Sequence, residues 1–494
     1  MEPDFPLDLD LPAVRGRRGR TLHARLRAAI LDGRLAAGAM LPSTRNAAAA
    51  LGVARNTVAA AYDRLVAEGY VLPRTRARPV VADLRARRGK AAAQPAVALN
   101  PAWRRSPVRA PLADAQDAAP FRLGLPEHRL FPHAAWRRVV LRALRAAARG
   151  PFAQGDAAGL PVLRAAIARH VAFARAVACG ADDVLVTAGA QQAFDLLARL
   201  LVAPGGTRVA VEDPGYPGLR AAFRAAGAQL VPVPVDGEGL RVDRLGEGIG
   251  VVCVTPSHQF PAGVAMSLAR RMALLAWARA HGAVIVEDDY DGEFRAEGRP
   301  LDALHALDTE GRVCYVGTFS KCMFPSLHAG YVVAPPWARE RLAALKRCTD
   351  AQADTVQQSA LAAFIEEGHL ARHVRRMRLE YGRRRAALED GIAHWLGEWL
   401  VPVPSAAGLH LSARIRRAAD APRIVAAARR HLPGAQPWSA FALRTRAAEG
   451  LTLGFGLADV PAIERALRAL RQSLLKTAPR GKSQSGRGGG VAGA

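Results

Sequence analysis

Residues 312–331 read RVCYVGTFSKCMFPSLHAGY. An apolar, β-branched run leads into a turn of small residues that presents Lys321. The run has the length and composition of a buried strand. A lysine set among apolar side chains loses hydration, which disfavours its ammonium and leaves a nucleophilic amine. The turn therefore reads in one of two ways. It is a loop with an ordinary surface lysine, or a strand end that offers an amine to a carbonyl ligand.

Working outward, four more apolar runs end in chemistry-bearing residues. AVIVEDDYDGEF (283–294) ends in Asp288, Asp289 and Asp291, with Tyr290 between them. DVLVTAGAQQAF (183–194) ends in a Gly-Ala-Gln turn that opens a helix, and VEDPGYPG (211–218) supplies Tyr216. GVVCVTP (250–256) is the fifth run. Helical stretches alternate with them, which predicts an α/β domain with a largely parallel sheet. In such sheets ligands sit at the carboxyl ends of the strands. Pyridoxal 5′-phosphate uses all these features together: a lysine for its aldehyde, a carboxylate for its ring nitrogen, backbone N–H groups for its phosphate and an aromatic face for its ring. A lone Phe-Ser-Lys would read as a surface lysine; the agreement of several strand ends decides for the cofactor.

Residues 20–82 form a separate basic unit. Leu22, Leu26 and Ile30 share one helical face, and Gly33 can end that helix. Ser43 is a candidate N-cap and Gly52 a stop; Val58, Ala61, Tyr62 and Leu65 make the stripe of a third helix. The basic YVLPRTRARPVVA that follows suits a two-stranded wing. This is a winged helix-turn-helix, whose second paired helix meets the major groove of double-stranded DNA with its N-terminal residues. Arg55, Asn56 and Thr57 are the expected base or phosphate contacts, Ser43, Thr44 and Arg45 a phosphate site, and Arg74, Arg76 and Arg78 the wing contacts.

The rest of the chain fits a two-part protein. Its 494 residues exceed one domain, and a net charge of +26 suits a polyanionic partner. Residues 1–19 read as an N-terminal extension, 83–119 as an Ala/Pro/Arg-rich linker, 120–478 as the large domain and 479–494 as a Gly/Ser-rich disordered tail. Five scattered cysteines carry no metal-ligand or disulfide spacing and suggest a reducing, cytoplasmic setting. There is no apolar run long enough for a membrane span. Cys322 reads as a small core residue, and the basic run RHVRRMRLEYGRRR (372–385) as a solvated helix rather than a second DNA site.

The runs GAMLPSTR and RNTVAAAYDRLVAEG resemble the GntR-type DNA-binding domain. LVTAGAQQAF, VEDPGYPG, TPSHQFP, VEDDYDGEFR and VGTFSK resemble fold-type I aminotransferases, most closely the MocR/GabR subfamily. The similarity spans roughly residues 20–475. It implies an aminotransferase-like domain that binds pyridoxal 5′-phosphate, with a small C-terminal α+β subdomain, and a homodimer. It implies that Lys321 forms the Schiff base, Asp288 pairs with the ring nitrogen and Tyr216 stacks on the ring. Tyr290 would reach the phenolic oxygen, with His258 or Gln259 nearby. Ala190, Gln191 and Thr318 would bind the phosphate.

Four departures stand out. Seven positions beyond the lysine, where the family carries a phosphate-gripping arginine, stands His328, a weaker partner. EGLTLGFG places Leu451 and Thr452 where an arginine for an amino-acid carboxylate is usual, although Arg444 and Arg446 are near in sequence. The position before Arg55 is Ala54 rather than Ser or Thr, and the wing tip is RTRARP rather than Gly-rich. The expected function is a transcription regulator that binds DNA and senses the cofactor or an amine or amino-acid effector. The alternative is an aminotransferase with an accessory DNA-binding head.

Overall fold

Three helices and a β-hairpin make the N-terminal unit: α1 (Arg18–Leu31), α2 (Thr44–Ala50), α3 (Arg55–Ala67), β1 (Val71–Leu72) and β2 (Val80–Val81). The computed structural model describes residues 18–74, 77–83, 119–150, 153–295, 302–405, 407–444 and 449–477. Leu22, Leu26, Ile30, Val58, Tyr62 and Leu65 bury their side chains in one cluster. The Ser43 hydroxyl accepts the Asn46 N–H at 3.2 Å and caps α2. Gly52 takes φ +60, the left-handed turn between α2 and α3 that a side chain would strain. The hairpin pairs Val71 with Val81 in antiparallel register. Arg76, residues 84–118 of the expected 83–119 linker and the expected tail, 479–494, lie outside the described residues.

The second unit opens with helices α4 (His133–Ala147) and α5 (Pro161–Arg175). An eight-stranded sheet follows. Its strands and helices run β3 (Val184–Thr187), α6 (Gly189–Leu201), β4 (Arg208–Asp213), α7 (Pro217–Ala225), β5 (Gln229–Asp236), β6 (Gly239–Leu240), β7 (Ile249–Val254), α8 (Leu268–His281), β8 (Val284–Asp289), β9 (Val313–Thr318) and β10 (Gly330–Val333). The spatial order is β3-β10-β9-β8-β7-β4-β5-β6. Strands β4, β5, β7, β8 and β9 run parallel; β10 is antiparallel to both its neighbours. Val184 and Val186 enter one core while Leu185 enters the other, so the strand is buried on both faces and reads as continuously apolar. The carboxyl ends of β3, β4, β7, β8 and β9 therefore share one edge.

Helices α9 (Pro336–Asp350), α10 (Thr355–Glu366) and α11 (His369–Leu396) lead to a second, antiparallel sheet. Its strands are β11 (Leu400–Pro402), β12 (His410–Ile415), β13 (Gln436–Pro437) and β14 (Gly450–Gly454), ordered β11-β12-β14-β13. Helices α12 (Ala421–His431) and α13 (Val460–Lys476) complete this C-terminal layer. No helix among the described residues is long and apolar enough to cross a membrane.

Candidate functional site

Strand β8 distinguishes its own acids. Side chains alternate along a strand, so Glu287 and Asp289 face one side and Asp288 the other. Glu287 accepts the N–H groups of Leu304 and His305, both at 2.8 Å. Asp289 accepts from Arg175 Nε and the Tyr315 hydroxyl, both at 2.6 Å. Beyond the strand, Asp291 accepts His258 Nδ1 at 3.0 Å and the Leu409 N–H at 3.1 Å. Asp288 is buried, and its Oδ1 has no hydrogen-bond partner. Burial and the neighbouring acids Asp289, Asp291 and Glu212 push its carboxyl well above the usual range, against the pull of Lys321.

Lys321 follows β9, the neighbour of β8. Its Nζ donates to the Gly124 carbonyl at 2.9 Å. Burial lowers its pKa, while Asp291 and Asp288 hold it up. The site thus has a desolvated amine electrostatically coupled to an unpartnered carboxyl.

Tyr216 caps α7 at the end of β4 and meets Phe260 edge-on at 5.5 Å. Burial and Asp288 push its hydroxyl up to about 12. The Tyr290 hydroxyl donates to the His258 carbonyl at 2.8 Å and lies 3.1 Å from His258 Nδ1. Gln259 is committed to the scaffold: its amide donates to Pro214 and Phe260 carbonyls and to Glu212, and accepts the Ala262 N–H. The Glu212 carboxyl is pushed up to about 7 by burial, opposed by its bonds from Thr255 and Gln259.

Helix α6 begins at Gly189 with φ +70 and no side-chain cap. The first N–H groups of a helix have no partner within it, and those here belong to Ala190 and Gln191. The Gln191 amide donates to the Gly218 carbonyl at 3.0 Å. A Cβ at Gly330 would lie 2.8 Å from the Gly189 backbone, so glycine lets β10 start hard against this turn. That brings His328, exposed and left-handed at φ 53, to the rim of a cavity of about 210 Å³ with Thr187 and Ala188. The Thr318 hydroxyl donates to the Ser320 hydroxyl at 3.0 Å. Ser320 is an addition to the residues read from sequence.

A second addition is His410 on β12. It is buried, stacks on His258 with ring centroids 4.2 Å apart, and its Nε2 has no partner. Only a lone histidine in an otherwise apolar strand, GLHL, marks it in the sequence. His258, Asp291 and His410 offer ligand atoms within 4.8 Å of one another. Stacked imidazoles hold their in-plane lone pairs side by side rather than converging, which suits a ring stack better than a metal. Thr452, at the position where the family usually carries an arginine, is buried and bonds Ser412, the Trp438 indole and the Pro261 carbonyl. Arg444 lies in an exposed turn whose N–H bonds Asp213, and Arg446 is outside the described residues.

In the N-terminal unit, Arg55 Nε donates to the Thr44 hydroxyl at 3.3 Å, joining the starts of α2 and α3. Arg45, Arg55, Asn56, Arg74 and Arg78 are exposed, and Thr57 is half-buried. Ala54 caps α3 without a side-chain bond.

Comparison with known proteins agrees with both halves. Residues 19–81 match the model of the bacterial regulatory proteins of the gntR family, and residues 127–428 that of aminotransferase class I and II. The chain is 36% identical over 461 residues to the probable rhizopine catabolism regulatory protein MocR of Rhizobium meliloti, covering 92% of this chain and 93% of that one. It is 34% identical to the HTH-type pyridoxine biosynthesis transcriptional regulator PdxR of Corynebacterium glutamicum, covering 79% and 81%. Kynurenine aminotransferase of Pyrococcus horikoshii superposes with a TM-score of 0.68 at 27% identity, over 74% of this chain and 92% of that one. The chain belongs to the GntR-family helix-turn-helix transcriptional regulators of the MocR type, which carry an aminotransferase class I and II domain.

Proposed function

We propose that this DNA-binding regulator carries pyridoxal 5′-phosphate on Lys321 and responds through it to an amino compound. The observation that carries the reading is Asp288: a buried carboxyl with an unpartnered Oδ1, coupled to the desolvated amine of Lys321. A buried acid without a partner is costly unless a ligand completes it. A protonated ring nitrogen is such a partner. The cofactor supplies an aldehyde that amines reach reversibly, attached to an electron-withdrawing ring.

The chain's own residues have distinct tasks in this reading. Lys321 bonds the aldehyde carbon, and burial favours the neutral amine that this needs. Tyr216 covers the ring face, and Tyr290, oriented by His258, reaches the phenolic oxygen. The uncapped N–H groups of Ala190 and Gln191, with the Thr318 and Ser320 hydroxyls and His328, receive the phosphate. Gln259 supports the site through Glu212 without touching the ligand. Fusion to a helix-turn-helix unit makes DNA occupancy the output, and an effector acts by its differential affinity for two states of the protein. The test is borohydride reduction of the cofactor-saturated protein, followed by peptide mapping. A label on the Lys321 peptide supports the reading; a label on another lysine, or none, ends it.

A further inference from the structure

Among the described residues, the buried arginines are Arg175, Arg220, Arg271 and Arg384. Each is already bound: Arg175 to Asp289 and Ser257, Arg220 to the Phe441 carbonyl, Arg271 to three carbonyls, and Arg384 to Glu127 and Glu380. On β14, Thr452 closes an uncharged cluster with Ser412 and Trp438. A ligand carboxylate entering here loses its water and finds this neutral cluster at the position where the family usually carries an arginine.

His410 offers something different. Its ring is 2% exposed, lies against His258, meets Phe260 edge-on at 5.8 Å, and feels the charge of Lys321. Burial favours its neutral form. Its Nε2, with no partner in the protein, needs one from a ligand. A hydroxyl both donates and accepts, so it satisfies that nitrogen in either tautomer.

We propose that the effector site selects amines that lack a carboxylate and carry a hydroxyl, and that His410 is the specificity-determining residue that hydrogen-bonds this hydroxyl. The proposal rests on the reading that Lys321 holds pyridoxal phosphate. Amino alcohols then bind with the amine toward Lys321 and the hydroxyl toward His410, while the carboxylate of an amino acid of equal length meets the uncharged Thr452 cluster and gains no cation there.

Full-length protein loaded with pyridoxal phosphate is titrated with ethanolamine, 2-amino-1,3-propanediol, propylamine, β-alanine and γ-aminobutyrate. Visible absorbance and thermal midpoint are read together. The two amino alcohols are expected to half-saturate at concentrations at least tenfold below those for β-alanine and γ-aminobutyrate. His410→Leu is expected to raise the ethanolamine value at least tenfold and to move propylamine by less than twofold. The proposal is overturned if β-alanine matches ethanolamine in the parent protein, a comparison that needs no variant. It is also overturned if no amine changes either signal while the cofactor is bound, or if His410→Leu shifts ethanolamine and propylamine alike. A protein that takes up no cofactor overturns the reading beneath it as well, and the starting spectrum tells these failures apart.

Discussion

Arg175 and Asp289 form a buried ion pair, Nε to Oδ2 at 2.6 Å, between the last residue of α5 and the last residue of β8. Arg175 also reaches the Ser257 hydroxyl, and Asp289 the Tyr315 hydroxyl. The pair ties the helix layer to the strand end. It also neutralises Asp289, so the acid left open for a ligand at this strand end is its neighbour Asp288. Arg175→Met should leave a buried carboxylate without its cation and cost about 3–5 kcal/mol. Urea unfolding monitored in the aminotransferase-like domain measures it; a loss within 1 kcal/mol (about the scatter of a surface substitution) would mean that the pair contributes little.

A second buried network offers a pH test. Glu127 accepts from Arg384 and Arg129, both at 2.8 Å. Burial pushes its carboxyl up, but the two guanidinium groups outweigh it and hold the pKa at about 2, below the ordinary 4.5. A carboxyl whose folded pKa is depressed stabilises the fold above its unfolded pKa, and that contribution fades as pH falls toward the folded value. Glu127→Gln should therefore cost about 2–4 kcal/mol at neutral pH. The gap between parent and variant should narrow between pH 4.5 and 2, where the parent's own carboxyl becomes neutral. Unfolding curves at a series of pH values check this, and a gap that stays constant would remove Glu127 from the account.

The sequence and the structure meet at particular residues. The apolar runs showed the strands because side chains buried on both faces leave no polar alternation to misread. Asp288 stood out by position, yet only tertiary contacts distinguish it from Asp289, since Arg175 comes from a helix far earlier in the chain. His410 is not legible in the sequence because its partner His258 lies in the loop after β7, and no local pattern couples them. The reversal of β10 was equally hidden: a short apolar strand reads the same in either direction. Gln259 was legible as polar and near the site, but its four committed contacts depend on the folded turn around Pro214 and Ala262.

His328 lies on the turn between Lys321 and β10, exposed and beside the uncapped start of α6. If the phosphate sits at that helix start, replacing His328 by a permanently charged, forked side chain should strengthen its hold. His328→Arg is expected to tighten pyridoxal phosphate binding by about 1–2 kcal/mol, roughly a five- to thirtyfold lower dissociation constant. Equilibrium titration of the apo-protein, read by absorbance, measures it. Affinity that is unchanged or weaker in the variant would place the phosphate out of reach of this turn.

The last prediction concerns the DNA-binding unit. Arg55 opens α3, is exposed, and is steadied by a 3.3 Å bond to Thr44 at the start of α2. In a helix-turn-helix the start of this helix faces the major groove, and an arginine there can fork onto a guanine. The bond to Thr44 limits the side chain's freedom before DNA arrives, which reduces the entropy lost on contact. Arg55→Ala should weaken operator binding by about 1–3 kcal/mol and relax preference at one base position, while Arg74→Ala should weaken all sequences alike and lower the salt dependence by about one charge. Neither change touches the residues around Lys321, so the visible spectrum with pyridoxal phosphate should match that of the parent. Operator selected from a random pool, then used in gel shifts with both variants at several salt concentrations, separates the two roles. If Arg55→Ala weakens every sequence equally, that side chain holds a phosphate rather than a base, and base reading passes to Asn56 and Thr57.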